Sequence, residues 1–191
     1  VDGMPMHAPT TRWNKSLASP ARAGAMTRAA IRAATGPVPG PVHFEIPADM
    51  LGLDSGETEG YQEESLGTVN SRRLAADTAR VPDLITRLLQ AERPLILAGN
   101  GVILAEAWEE LSALAEALSI PVATTLGGKG AISEMDSELA VGVIGRYSRR
   151  VANEVVNEAD TVFAVGTRFG GLATNAWQLP FNQKSILQLD A

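Results

Sequence analysis

The residues best suited to chemistry in this 191-residue chain stand in turns that follow short apolar runs. Gly99-Asn100-Gly101 follows Pro94-Leu-Ile-Leu-Ala98, and Gly166-Thr167-Arg168 follows Thr161-Val-Phe-Ala-Val165. Glycine lets a backbone approach a phosphate closely, and an arginine guanidinium can fork onto a phosphate or a carboxylate. The two turns predict an anion site. A tight strand-to-helix turn, and a salt bridge made by Arg168, are the alternatives left open.

A second glycine loop, Leu126-Gly127-Gly128-Lys129-Gly130, follows Thr124 and Thr125. The threonine hydroxyls and glycine amides of this loop could bind a sugar or a phosphate. The alternative is an ordinary loop whose glycines end the strand. Neither loop matches a phosphate fingerprint, because Leu104 stands at the third glycine position of G-x-G-x-x-G and Lys129 is followed by glycine. Three more arginines lie near the start of a later predicted helix: Arg146, Arg149 and Arg150. Arginines in such a position more often form a solvated helix face or an interface than a binding patch.

Composition excludes several classes of function. The chain has no cysteine, which excludes disulfides, thiolate zinc sites and cysteine nucleophiles. Its two histidines, His7 and His43, are too far apart in sequence to predict a metal cluster, and no Ser/His/Asp set is visible. A net charge of -6 argues against nucleic acid or an anionic membrane as a partner. No apolar run reaches the ~18–20 residues of a membrane span, so we expect a cytoplasmic protein.

Hydrophobic periodicity indicates the elements that must position these turns. A helix is predicted over 21–34 and strands over 42–46, 95–98, 121–125, 161–165 and 185–189, whereas residues 1–17 read as irregular. Further helices are predicted from three apolar stripes: Val81, Leu84, Ile85, Leu88 and Leu89; Trp108, Leu111, Ala115 and Leu118; Tyr147, Val151, Val155 and Ala159. Strands that alternate with helices predict an α/β fold with a doubly wound parallel sheet from about residue 76.

Residues 51–75 differ from the rest, being rich in glycine, serine and acidic residues. Low hydrophobicity with like charge is typical of a linker. The chain starts at Val1 and ends just after an apolar run, so we expect a piece of a longer polypeptide.

Several segments, in this order, resemble thiamine-diphosphate-dependent enzymes of the acetolactate synthase type. They are Thr11–Lys15, Pro20–Arg22, Gly40–Asp49, Arg93–Val102, Pro121–Gly130, Gly142–Gly145, Ala159-Asp160 and Val165–Phe169. The resemblance implies three α/β domains in the parent. Residues 1–50 would be the C-terminal part of the pyrimidine-binding domain, 51–75 the linker, and 76–191 a central domain truncated at its C-terminus.

The resemblance also implies the chemistry of the parent. Thiamine diphosphate and Mg²⁺ would serve decarboxylation and carboligation of 2-oxo acids or related acyl donors, in a homo-oligomer that is a dimer or tetramer. The family's activating glutamate would precede Val1, and its magnesium-binding Gly-Asp-Gly motif would follow Ala191. The chain alone is therefore expected to be inactive, with no catalytic residue and no metal ligand of its own.

Central domains of this family bind FAD, ADP or nothing. The matching positions here are Gly99, Asn100, Gly101, Thr125, Leu126, Gly127, Gly145, Arg146, Gly166, Arg168 and Asp190. Gly170-Gly171-Leu172 replaces the family's usual Asp-Asp-Arg, so we expect a scaffold domain with an altered nucleotide groove. The alternatives are a stand-alone nucleotide-binding or regulatory module and an NAD-dependent oxidoreductase domain. An NAD-dependent domain of this kind has an acidic residue that binds the ribose about 20 positions after the glycine turn. Ile120-Pro121-Val122 stand at that place here.

Overall fold

A computed structural model describes residues 3–56, 75–148 and 150–190 of the chain. The chain divides into two compact units, residues 1–74 and 75–191. Most of the predicted linker, residues 57–74, lies outside the described residues.

The first unit is built around a pair of parallel strands. A short helix α1 (Met4–His7) leads to strand β1 (Trp13–Ser16), and helix α2 (Ala23–Ala34) connects it to strand β2 (Val42–Glu45). In the ladder, Trp13 is paired with Val42 and Ser16 with Glu45. A crossover helix is what a parallel pair requires, since two parallel strands cannot be joined by a tight turn.

The prediction of an irregular segment over residues 1–17 was wrong. Pro5 stands in the first turn of α1, where its missing N–H removes no hydrogen bond. Strand β1 is stabilised by its pairing with β2, a partner from a distant part of the sequence. Nothing in the local pattern Trp-Asn-Lys-Ser reveals such a partner.

The second unit is a five-stranded, wholly parallel sheet. Its strands are β3 (Pro94–Ala98), β4 (Val122–Thr124), β5 (Ala140–Val143), β6 (Thr161–Val165) and β7 (Ser185–Leu189). Its helices are α3 (Val81–Gln90), α4 (Asn100–Leu104), α5 (Trp108–Leu118) and α6 (Arg150–Glu158). The spatial order β5-β4-β3-β6-β7 confirms the predicted doubly wound α/β fold.

The sheet has a hydrophobic core on each face. Leu88 of α3 and Leu111 of α5 pack on one face, and Ala152 and Val156 of α6 pack on the other. Strands β3 and β6 are buried on both sides, which explains their unbroken apolar runs. The strand order reverses between β3 and β6, so the expected ligand crevice lies at the carboxyl ends of these two strands.

Two predictions about this unit need correction. Strand β5 was missed, because four residues of the type Ala-Val-Gly-Val give too short a pattern. The helix predicted near Tyr147 begins at Arg150 among the described residues and buries Ala152 and Val156, and the buried Ala159 follows its last residue. Tyr147 and Val151, assigned to the buried stripe, are 67% and 62% exposed. Small alanines make the true face inconspicuous in the sequence.

Candidate functional site

The carboxyl ends of β3 and β6 are joined by direct backbone contacts. The Gly99 N–H donates to the Val165 carbonyl at 2.8 Å, and the Gly101 N–H donates to the Gly166 carbonyl at 2.9 Å. A Cβ on Gly99 would overlap the Gly166 carbonyl oxygen, and one on Gly166 would lie 2.6 Å from the Cα of Gly101. These glycines are required for backbone packing across the reversal of strand order, and the amides of Gly99 and Gly101 are engaged there.

The loop after β4 packs against the same edge. The Thr125 N–H donates to the Ala98 carbonyl at 2.9 Å, and the Thr125 hydroxyl accepts the Gly128 N–H at 3.1 Å. Leu126 and Gly127 are exposed, and a Cβ on Gly127 would lie 3.3 Å from the Cβ of Asn100. The structure therefore brings the first two glycine turns together, with the Thr125 hydroxyl serving as the cap of its own loop.

The loop after β5 packs on the loop after β6. Gly145 has φ +93°, and a Cβ there would overlap the carbonyl oxygen of Leu172. The Arg146 N–H donates to that same carbonyl at 2.9 Å. Sequence reasoning missed Asn153, whose carboxamide forms hydrogen bonds with both the N–H and the carbonyl of Gly145. The eight-residue separation of Asn153 from Gly145 carries no motif that could have identified this contact.

The arginines at this edge differ in their partners. Arg146 and Arg168 are exposed, and within the described ranges neither guanidinium has a hydrogen bond or an ion pair. Arg150 donates to Glu154 at 2.6 Å; this hydrogen bond, together with the charge of Glu154, raises the pKa of Arg150. Arg149 lies outside the described residues. The exposed guanidinium groups of Arg146 and Arg168 are able to bind an anion.

The end of β7 joins the same edge. The Gly166 N–H donates to the Leu189 carbonyl at 2.8 Å, and Asp190 follows directly. Backbone hydrogen bonds and close glycine packing thus link the loops after β3, β4, β6 and β7, which carry candidate positions. Gly145 and Arg146 are connected to the others through Leu172.

Two cavities adjoin these loops: the first is lined in part by Lys129 and Gly130 of the second glycine loop, and the second in part by Phe169 and Gln188. One groove of about 900 Å³ runs between α5 and residues 129–134, where Lys129 is paired with Glu134 at 3.5 Å. Glu109 and Glu116 add further acidic charge there, which disfavours a phosphate. The second cavity, of about 450 Å³, has a mostly apolar lining that includes Phe169, Trp177, Leu179, Phe181 and Ile186.

The opposite edge of the sheet, at the amino ends of the strands, has a polar cluster. Asp160 Oδ2 accepts the N–H groups of Glu92 and Arg93, each at 2.9 Å. Desolvation would raise the pKa of Asp160, but hydrogen bonds from Arg93, Thr161 and Glu92 outweigh it and lower that pKa. Lys184 Nζ donates to the carbonyls of Asn157 and Ala159; desolvation lowers the pKa of Lys184, opposed by the charge of Asp160.

In the first unit the structure brings the two histidines together. The rings of His7 and His43 stack with centroids 4.1 Å apart, and His43 Nδ1 lies 2.8 Å from Asn14 Oδ1. Over residues 3–56, 75–148 and 150–190, no group of three His, Cys, Asp or Glu side chains is arranged to hold a metal ion. In those same ranges no helix is long and apolar enough to cross a membrane.

Comparison with known proteins gives one consistent family. The central-domain model of thiamine pyrophosphate enzymes matches residues 81–191. Proteins named probable acetolactate synthase large subunits, from Methanocaldococcus jannaschii and Methanococcus aeolicus, are 34% and 32% identical over 100% of this chain and 32% of their own length. Glyoxylate carboligase of Escherichia coli O157:H7 is 33% identical over 80% of this chain and 25% of its own length.

A solved structure shares the same fold. It is a protein of Mycobacterium smegmatis assigned as a thiamin diphosphate-dependent enzyme, with a TM-score of 0.76 and 25% identity, covering 98% of this chain and 35% of its own. The chain thus spans about a third of the length of such relatives, 32% of the first of them.

Proposed function

The chain belongs to the thiamine pyrophosphate enzyme family, through the central domain of that family, and we propose that its parent decarboxylates a 2-oxo acid or related acyl donor and ligates or transfers the product. The 34% identity to an acetolactate synthase subunit over the whole chain supports this proposal. The similarity to glyoxylate carboligase also supports carboligation as the reaction class.

Within that parent, we propose the domain division that the resemblance implies. Residues 1–50 form the end of the pyrimidine-binding domain, 51–75 the linker and 76–191 the central domain. The parallel pair β1–β2 in the first unit and a family match that begins at residue 81 support this division. A dimeric or tetrameric parent and a cytoplasmic location remain part of the proposal, resting on the resemblance and on composition.

Thiamine diphosphate, when bound, supplies the carbanion chemistry of such enzymes. We assign its site and that of Mg²⁺ to segments of the parent beyond this chain, because the family motifs that hold them have no match here. The residues of this chain would then pack against the other domains of the parent and bind a nucleotide. The chain alone is expected to be inactive.

We assign the carboxyl edge of the sheet as a site for the diphosphate of FAD or ADP. The observation that carries this assignment is the pair of exposed guanidinium groups, Arg146 and Arg168, with no acidic partner in the described part of the chain. Guanidinium groups suit a diphosphate because they form paired, charge-assisted hydrogen bonds. Gly99, Gly101 and Gly166 contribute close backbone packing, since the Gly99 and Gly101 amides are already engaged.

The remaining candidate positions lie on the same loops or on loops next to them. Asn100, Thr125, Leu126, Gly127, Gly145 and Asp190 complete the set that the resemblance assigns to the nucleotide. Exposed Leu126 and Gly127 are the members of the second glycine loop that remain accessible to it. A nucleotide bound here would stabilise the loops around it.

The test is a calorimetric titration of the folded chain with FAD and with ADP, accompanied by thermal shift. Saturable binding is expected, and it raises stability by mass action. Arg168→Ala should weaken it by roughly 1.5–3 kcal/mol, the range for a hydrogen bond to a charged group. The matched control is Arg150→Ala, which removes an arginine already paired with Glu154 and should leave affinity unchanged.

Two results would contradict this assignment. Unchanged affinity in Arg168→Ala would remove that arginine from the site. Failure of both ligands to bind to a folded wild-type chain would leave the central domain a scaffold.

A further inference from the structure

Asn153, on α6, forms two hydrogen bonds with a single residue of a neighbouring loop. Its Oδ1 accepts the Gly145 N–H at 2.9 Å, and its Nδ2 donates to the Gly145 carbonyl at 3.1 Å. A carboxamide accepts through one atom and donates through another, whereas a carboxylate has no donor and an alkyl chain has neither.

Gly145 needs such a partner because it has left the sheet. The preceding residue, Ile144, still donates to the Thr124 carbonyl at 2.9 Å, as in a continuing ladder. Gly145 then turns away with φ +93° while remaining buried. A buried N–H without a partner is costly, and Asn153 supplies the partner that the sheet no longer provides.

Gly145 belongs to the loop that carries Arg146, and it packs on the loop that carries Arg168. The Arg146 N–H donates to the Leu172 carbonyl at 2.9 Å, and Gly145 packs directly on Leu172 and Ala173. The loop after β6 is held in turn by Thr174, a fully buried residue whose hydroxyl donates to the Gly170 carbonyl at 3.3 Å. Fixing Gly145 therefore fixes the backbone of Arg146 against the loop that carries Arg168.

We propose that Asn153 is a positioning residue of the diphosphate site, holding Gly145 so that the loops bearing Arg146 and Arg168 keep their relative placement. This inference rests on the proposed binding of FAD or ADP. Preorganised loops bind better because the ordering cost is removed before the ligand arrives.

The experiment compares Asn153→Ala with Asn157→Ala by ADP and FAD titration of the chain, well below its melting temperature. Asn157 is an exposed residue of the same helix, so its substitution makes the same change in helix propensity. Asn153→Ala is expected to weaken binding about tenfold, the loss of one to two neutral hydrogen bonds. Asn153→Asp should weaken it at least as much, because its second carboxylate oxygen would face the Gly145 carbonyl oxygen, and two acceptors repel. Asn157→Ala should bind like the wild type.

Hydrogen exchange supplies a readout of the ligand-free loop. The Arg146 amide, which donates to Leu172 and not to Asn153, is expected to exchange faster in ligand-free Asn153→Ala than in the wild type, and equal exchange would overturn the proposal. Wild-type binding with equal affinity in a folded Asn153→Ala or Asn153→Asp chain would overturn it too, leaving the proposed function intact. Absence of binding to the wild-type chain would overturn both.

Discussion

The two edges of the five-stranded sheet are held by different kinds of contact. At the carboxyl edge, glycines bring backbone against backbone, as between Gly99 and Gly166. At the amino edge, charged side chains bind the backbone, as Asp160 does with Glu92 and Arg93. Asp160 and Lys184 are thus engaged in local contacts, whereas Arg146 and Arg168 at the opposite edge have no acidic partner among the residues described.

This difference suggests a division of roles within one sheet. Backbone packing at the carboxyl edge leaves the surrounding loops close together, and among the described residues the guanidinium groups of Arg146 and Arg168 contact no carboxylate. Side-chain bonds at the amino edge serve the fold itself. In open α/β sheets ligands bind at the carboxyl ends of strands, and the distribution of engaged and available charge here agrees with that rule.

The largest expected effect comes from breaking the backbone contact at the carboxyl edge. Gly166→Ala places a Cβ against Gly101 and Val102 at a residue with φ +59°. Strain in the left-handed region and overpacking together should cost about 2–5 kcal/mol. Urea denaturation followed by circular dichroism measures the loss.

Gly170→Ala is the matched control, on the same loop, because a Cβ at that position meets nothing within 4 Å. Its stability should stay within about 0.5 kcal/mol of the wild type. Equal losses in the two variants would show that close packing at Gly166 is not what holds this edge.

The amino edge is predicted to show a smaller, pH-dependent effect. Asp160→Asn keeps the side-chain shape and removes the charge that accepts two backbone N–H groups, at a cost of about 1 kcal/mol once solvent screening of an exposed carboxylate is considered. The pKa of Asp160 lies below its ordinary value of 3.8. Its contribution to stability is therefore complete well above pH 3.8 and is lost as pH falls through the lower, folded-state pKa.

Urea denaturation of the wild type and of Asp160→Asn, repeated from pH 7 down to pH 3, measures how the free energy of unfolding of each depends on pH. The difference between wild type and Asp160→Asn should be constant at neutral pH and shrink at the acid end. Glu158→Gln, an exposed carboxylate of α6, should show no such difference. A gap between wild type and Asp160→Asn that widened on acidification would reverse the assigned role of Asp160.

Sequence alone predicted much of the second unit and little of the contacts at either edge. Strands β6 and β7 were predicted with their observed bounds, because apolar or β-branched residues make up all of β6 and three of the five residues of β7. Strands β5 and β1 were not predicted, since Gly142 interrupts the apolar run of β5 and three of the four residues of β1 are polar.

The site shows the same limit. Glycine after a strand predicted turns at the carboxyl ends of β3 and β6, and the structure shows that these turns contact each other. The bond from Asn153 to Gly145 depends on how α6 docks, and the acceptor role of Asp160 depends on backbone 67 and 68 residues earlier. Contacts of this kind require the tertiary fold, so periodicity and local motifs carry no signal for them.

The smallest expected effect is at an ion pair that belongs to neither edge. Arg150 and Glu154 are one helical turn apart on α6, with side chains 91% and 48% exposed. Glu154→Gln should leave both the urea midpoint and the affinity for ADP unchanged at low and at high salt, because solvent screens such a pair. A loss equal to that of Asp160→Asn would show that any surface charge near the sheet matters. An unchanged urea midpoint and ADP affinity in Glu154→Gln would mean that a charge matters only where it binds the backbone, as at the amino edge, or a ligand, as proposed at the carboxyl edge.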